Sequence, residues 1–237
     1  MAKNGGTNTG SAATPKKTLG RVASIGLGEA ADNILAECFR QFGIQVVPIA
    51  GDPIQRLHRE KFDACALHLD DKAGPILEAA RKSRSNFRMV VYGVCETAQQ
   101  ALRYSKYSVN AVLDSPVERQ NALRVVRATH LLVVHEFRRY VRVPIVTDVR
   151  IKSDTGETRG SSLEISGGGM SISSGKGLAT GTNVTVVFEL PRMPEVNLRG
   201  VVCWTRASDD SIGVRFDQTD ESRFQVRRWI DEFVENS

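Results

Sequence analysis

Arg138-Arg139-Tyr140-Val141-Arg142-Val143-Pro144 is the stretch on which the reading of the fold turns. Upstream, Ser115-Pro116-Val117-Glu118 has the form of a capping box with proline at the first helical position. From there to Phe137 neither Gly nor another Pro intervenes, and Leu123, Val126, His130, Leu131, Val133, Val134 and Phe137 supply apolar bulk. This predicts a helix over 116–137, of about 20 residues and ~30 Å. Downstream of Pro144 the pattern becomes one of short, alternating, β-branched strands, over 145–151, 162–165, 170–172, 183–190, 197–204 and 211–216. Turn-rich stretches at Ser153-Asp154-Thr155-Gly156, 175–181 and Ser208-Asp209-Asp210 separate them. Six such strands predict an antiparallel barrel or sandwich. An amphipathic helix over 221–235 closes the chain, with Phe224, Val226, Trp229, Ile230 and Phe233 as its expected buried stripe.

Between residues 20 and 136 apolar runs alternate with helical patterns. Strands are expected at 22–27, 44–50, 64–69, 89–92 and 111–113, with helices at 32–42, after the N-cap and first-turn proline Asp52-Pro53, and near 74–84 and 97–106. Five such units predict a parallel, doubly wound sheet. Their length and count resemble the response-regulator receiver domain, a flavodoxin-like fold of strand order 2-1-3-4-5. The receiver's chemistry is not matched. Strand one runs into Ile25-Gly26-Leu27-Gly28, with only Glu29 near. The phospho-acceptor position falls on His68, with Asp70 two residues on, strand four ends in Gly93, and strand five runs into Asp114-Ser115-Pro116 where Lys-Pro is expected. The resemblance therefore implies a pseudo-receiver that is not phosphorylated. Phosphorylation at Asp70 is the competing reading, and His68 is expected to be an ordinary strand-end residue.

Composition narrows the classes further. The 237 residues suffice for two modest domains. Residues 1–18 are polar and small and are expected to be unstructured. They lack a signal-peptide core, and no stretch approaches the ~20 apolar residues of a spanning helix, so a soluble, cytoplasmic protein without membrane insertion is expected. Cys38, Cys65, Cys95 and Cys203 lie far apart with no zinc spacing, and are expected to be small buried hydrophobes with no metal. The net charge of +5 is spread along the chain, and only 138–142 is densely basic. A small anionic ligand fits that cluster better than nucleic acid does.

The candidate chemistry lies in two motifs. Arg138 to Arg142 reads RxxxR, and Glu164-Ile165-Ser166-Gly167-Gly168-Gly169 reads as an acidic-x-Ser-x-x-Gly turn. In an extended segment residues i and i+4 point to one side, so Arg138 and Arg142 are expected to face one ligand. A guanidinium can stack on a purine, bind guanine O6 and N7, or clamp a phosphate. Gly167 to Gly169 allow positive φ and close backbone approach.

The order and spacing of these motifs, with Arg142-Val143-Pro144, Gly200-x-Val202-x-Trp204 and Gly213-Val214-x-Phe216, resemble the PilZ domain over about 137–234. The resemblance implies a six-stranded antiparallel β-barrel with a C-terminal helix that binds the second messenger cyclic di-GMP. It implies a ligand site at Arg138, Arg139, Arg142, Glu164, Ser166 and Gly169, with Glu164 where the family usually has Asp or Asn. The position before RxxxR is Phe137, which favours one ligand per site, while Arg139 leaves the stoichiometry open.

The domain organisation expected is then a tail over 1–18, a pseudo-receiver over 19–115, a connecting helix over 116–137 and a barrel over 138–237. The helix is open to three readings: a spacer, a lever between ligand and domain, or, through Val133-Val134, a homodimer interface. The leading functional reading is a non-enzymatic cyclic di-GMP effector that needs no cofactor and acts through a domain rearrangement or an unidentified protein partner. A ligand-free scaffold is the second. Gly26-Leu27-Gly28-Glu29-Ala30-Ala31, a GxGxxA turn of dinucleotide-binding form, supports a third, but no ribose-binding acid closes strand two cleanly, since Asp52 follows a glycine.

Overall fold

The computed structural model describes residues 18–173 and 177–236. Of the expected 1–18 tail residues 1–17, and of the 175–181 turn residues 175 and 176, lie outside the described residues. The chain divides into two units, Met1–Val133 and Val134–Ser237.

The first unit runs β1 (Arg21–Ile25), α1 (Glu29–Arg40), β2 (Gln45–Pro48), α2 (Pro53–Arg59), β3 (Ala64–His68), α3 (Ala73–Lys82), β4 (Val90–Cys95), α4 (Ala98–Arg103) and β5 (Ala111–Asp114), and leads into α5 (Arg119–Tyr140). The five strands pair in parallel in the order β2-β1-β3-β4-β5, the order the receiver resemblance implies. β3 and β4 are near-continuous apolar runs buried on both faces, as central parallel strands are. On one face Leu57, Phe62, Leu67, Leu77, Met89 and Val91 form the core. On another side Phe39 meets Tyr92 edge-on, ring centroids 5.3 Å apart.

A buried asparagine locks the approach to β3. Asn86 donates from Nδ2 to the carbonyls of Leu57 and Glu60 and accepts from the Phe62 amide, so all three polar contacts are made without solvent. Asp52 caps α2 as expected, accepting from the amides of Ile54 and Gln55. A full capping box exists, but at Thr97 and Gln100 ahead of α4. Ser115-Pro116 instead forms a cis peptide, and α5 starts three residues later, with the Ala122 amide bonded to the Glu118 carbonyl. Cys38, Cys65 and Cys95 are buried, and burial pushes the Cys65 thiol up to about 12. Cys203 departs from the expectation: it lies on the exposed end of a barrel strand.

The second unit contains β6 (Val143–Pro144), β7 (Asp148–Ser153), β8 (Gly156–Ser166), β9 (Gly169–Ser173), β10 (Asn183–Phe188), β11 (Val196–Arg206), β12 (Ser211–Phe216) and α6 (Ser222–Asn236). Antiparallel pairing runs β8-β7-β10-β11-β12-β9, and β9 returns to β8, closing a six-stranded barrel. Closure leaves no long unpaired edge. The two-residue β6 hangs on β8, with Val143 opposite Ile165 and Pro144 opposite Glu164. Alternate residues point inward, among them Val149, Ile151, Ile165, Ile172, Val186, Leu198, Val214 and Phe216, all nearly inaccessible.

α6 packs against β8 and β11. Its buried residues are Val226, Trp229, Ile230 and Val234, and the Trp229 indole donates to the Pro191 carbonyl at 3.0 Å. At ~1.5–3 kcal/mol per fully buried large side chain, this face is enough to hold the helix down. Phe224 and Phe233, expected in the stripe, lie outside it at 62% and 39% exposure. Val234, not Phe233, continues the i, i+4 row of Val226 and Ile230, while Phe233 stacks beside Trp229 at 5.4 Å.

Candidate ligand site of the barrel

The RxxxR segment is not extended throughout. α5 runs on through Arg138, Arg139 and Tyr140, because nothing there breaks a helix and cations suit a helix C-terminus. It stops before Pro144, which disfavours helical backbone at Val143. The two outer arginines therefore leave the chain from different local structures and meet different partners. Arg138 turns to α6, donating from Nη2 to Glu235 at 2.7 Å, with Nε buried and 3.5 Å from the Asp231 carboxylate. Arg142 lies beyond the helix end and donates from Nη1 to Glu164 at 2.8 Å. The Pro144–Glu164 register explains that meeting, because it sets the acid of the second motif opposite the chain just after Arg142. The pair is exposed, Arg142 at 61% and Glu164 at 38%. Arg139 donates to Glu136 at 2.6 Å, a carboxylate only 5% exposed, and its guanidinium lies 5.6 Å from the Tyr140 ring centroid.

Ser166 and Gly169 are cross-strand partners at the tight end of β8 and β9. The Ser166 hydroxyl donates to the Gly169 carbonyl at 3.0 Å and accepts from the Gly168 amide at 3.4 Å, bracing the turn from inside. None of the three glycines has positive φ, and two of them, Gly167 and Gly169, stand close to neighbouring atoms. A Cβ on Gly169 would stand 2.4 Å from the Val214 carbonyl oxygen of β12. One on Gly167 would meet the Arg227 side chain of α6, 3.0 Å from Cγ and 3.3 Å from Nε.

The structure thus joins Arg142 to Glu164 and Ser166 to Gly169, and sends Arg138 and Arg139 to acidic partners of their own. It also brings in α6, which the sequence reading had left out of the site. The missed signal is a row at i, i+4 spacing on that helix: Arg223, Arg227, Asp231, Glu235. Its acids hold Arg138, and its Arg227 lies over Gly167.

A cleft of about 790 Å³ on another part of the barrel is lined by Lys152, Asn183, Thr185, Arg199 and Arg215. It holds none of these motif residues, and Arg199 is already paired with Asp217 and Asp220.

In the first unit the strand ends where a receiver does its chemistry are differently furnished. His68 is half-buried, Asp70 is exposed and accepts from the Lys72 amide, and Asp114 is bonded by Asn121. Strand four does not end in Gly93 as expected but runs on to Cys95, and a Cβ on Gly93 would stand 2.4 Å from a Leu69 methyl. Among the described residues no group of three or more His, Cys, Asp or Glu side chains is placed to hold a metal. In the GxGxxA region Asp52 is spent on the α2 cap.

A closed six-stranded barrel with a C-terminal helix, following an α/β unit of strand order 2-1-3-4-5, defines a two-part architecture. Residues 136–235, nearly the whole C-terminal unit, match the family model of the PilZ domain. No curated protein matches the chain. Among solved structures it is similar to the inhibitor of motility MotI/DgrA of Bacillus subtilis, at 20% identity over 42% of this chain and 52% of that one, TM-score 0.36. It is similar also to the PilZ domain of YcgR from Escherichia coli, solved with c-di-GMP, at 13% identity over 41% and 88%, TM-score 0.32. For the first unit, the chemotaxis response regulator CheY4 of Vibrio cholerae matches at 11% identity over 47% and 98%, TM-score 0.41. The chain spans about half the length of the Bacillus protein.

Proposed function

We propose that this protein is a cyclic di-GMP effector whose ligand binds at Arg142, Glu164, Ser166 and Gly169, with Arg138 and Arg139 joining once it arrives. The observation that carries this reading is the junction of the two motifs: the Arg142–Glu164 pair lies at one end of β8 beside the Ser166–Gly169 turn. An exposed guanidinium is available for a guanine edge or a phosphate, and the carboxylate beside it can accept from guanine N1–H and N2–H. The turn at the same edge is braced by its own Ser166 hydroxyl, which fixes the backbone a ligand would approach. The role proposed is binding and signal transduction, without catalysis or cofactor.

The signal would leave along α5, which carries Arg138 in its last turn and residues of both units along its length. Exchange of the Arg138 partner from acid to ligand alters the end of that helix, and a domain rearrangement or an altered contact with a protein partner follows. No described helix is long and apolar enough to cross a membrane. A cytoplasmic location suits a second-messenger effector.

One observation favours a second reading, a ligand-free scaffold: Arg138 already has two carboxylates. Calorimetric titration of the full chain with cyclic di-GMP separates the two. Binding at or below tens of micromolar, lost or weakened at least tenfold in Arg142→Ala, is expected. No heat of binding, or the same affinity in the variant, sinks the effector reading.

A further inference from the structure

The row on α6 divides in two. Asp231 and Glu235 face Arg138 and neutralise it. Arg227 and Arg223, one and two turns before Asp231, have no such partners: among the described residues neither forms an ion pair. Both are half-buried, and the Arg223 Nε is buried without a hydrogen-bond partner. Arg227 lies along Gly167, within the turn that Ser166 braces. Burial pushes the Arg227 guanidinium down and Arg223 pushes the same way, Asp231 opposes them, and Arg139 adds a weaker downward push. Like charges gathered at a partly dry surface repel one another, and unbonded guanidinium donors there carry a desolvation cost. An anion that accepts from both removes each penalty, and a phosphodiester, with its fixed charge and several acceptor oxygens, matches the planar fork of arginine.

We propose that Arg223 and Arg227 are ligand contacts, and that α6 forms the second wall of the site, with a phosphate of the ligand held between these arginines and the Gly167–Gly168 turn. The inference rests on cyclic di-GMP binding at that turn, as proposed above. It assigns the site two arginines outside both motifs. It also gives α6 two tasks, since its first half receives the ligand's charge while its second half restrains Arg138.

The test is titration of the full chain with cyclic di-GMP in wild type, Arg142→Ala, Arg223→Ala, Arg227→Ala and Arg227→Lys. Arg227→Ala is expected to weaken binding at least tenfold, about the loss of one charge-assisted hydrogen bond. Arg223→Ala is expected to weaken it severalfold, and Arg227→Lys to fall between wild type and Arg227→Ala. A second measurement needs no variant: phenylglyoxal labelling of wild-type arginines, read by mass spectrometry, should show Arg227 protected by saturating cyclic di-GMP. If Arg142→Ala binds weakly while the α6 variants bind as wild type, or if Arg227 stays reactive under saturation, the inference falls and the proposed function stands. If wild type does not bind, both fall.

Discussion

Gly168 and Gly169 are neighbours in one turn, yet their surroundings give them opposite tolerance to a side chain. Around Gly168 nothing lies within 4 Å of an added Cβ and φ is not positive, whereas at Gly169 that Cβ would meet the β12 backbone at 2.4 Å. Backbone held in a closed barrel cannot step aside as a side chain can. Gly169→Ala is therefore expected to destabilise the protein by about 2–4 kcal/mol, and Gly168→Ala by less than about 0.5 kcal/mol. Urea denaturation of the two variants checks this, and equal losses would mean that the turn yields. The identities of the site residues were legible because each motif is local. Their partners were not: Arg138 reaches Glu235 across 97 residues and Arg142 reaches Glu164 across 22. Only the pairing of β6 with β8 and the seating of α6 create those meetings.

At the scale of elements, strand patterning was readable because burial alternates with period two, and the five parallel strands announced themselves as apolar runs. Helix ends were harder. The capping pattern at Ser115 does not open the helix, which starts at Arg119, and α5 outruns Phe137 because Arg138-Arg139-Tyr140 continues a helix as readily as it begins a strand. That extension is what delivers Arg138 to the acids of α6. Exposed or half-exposed ion pairs of this kind contribute about 0.2–1 kcal/mol each. If they restrain Arg138 from the ligand, Asp231→Asn combined with Glu235→Gln is expected to tighten cyclic di-GMP binding roughly two- to fivefold at low salt. The gain should shrink as ionic strength rises, since screening loosens the wild-type pairs as well. Removing acids from the C-terminal half of a helix also relieves the macrodipole, so the fold should not suffer. Titrations at low and high salt decide it, and unchanged or weaker affinity at low salt would show that the pairs do not compete with the ligand.

For the whole molecule, the division into an α/β unit and a barrel was written in the change of pattern at Pro144, but the boundary itself falls inside a helix, between Val133 and Val134. Sequence patterns mark where elements change type, and here two units meet without such a change. α5 is tied to the first unit near its start, where the Arg119 guanidinium donates to Glu37 at 3.3 Å, and again through the Tyr92 and Thr129 hydroxyls, 2.8 Å apart, and it is tied to the barrel's helix through Arg138. A helix fastened near both ends transmits a change at one end only while its middle stays helical. Leu131 is in that middle, 68% exposed, so replacing it removes little packing. Leu131→Gly costs about 1 kcal/mol of helix propensity and leaves every motif residue in place. In wild type, cyclic di-GMP is expected to change amide hydrogen exchange over residues 119–133 of the first unit. In Leu131→Gly that change should diminish by half or more while affinity stays within about twofold, because local opening of the helix interrupts what the ligand does to Arg138. Exchange over 119–133 that ignores the ligand in wild type would leave α5 a spacer, and an undiminished response in Leu131→Gly would mean that the signal travels by another route.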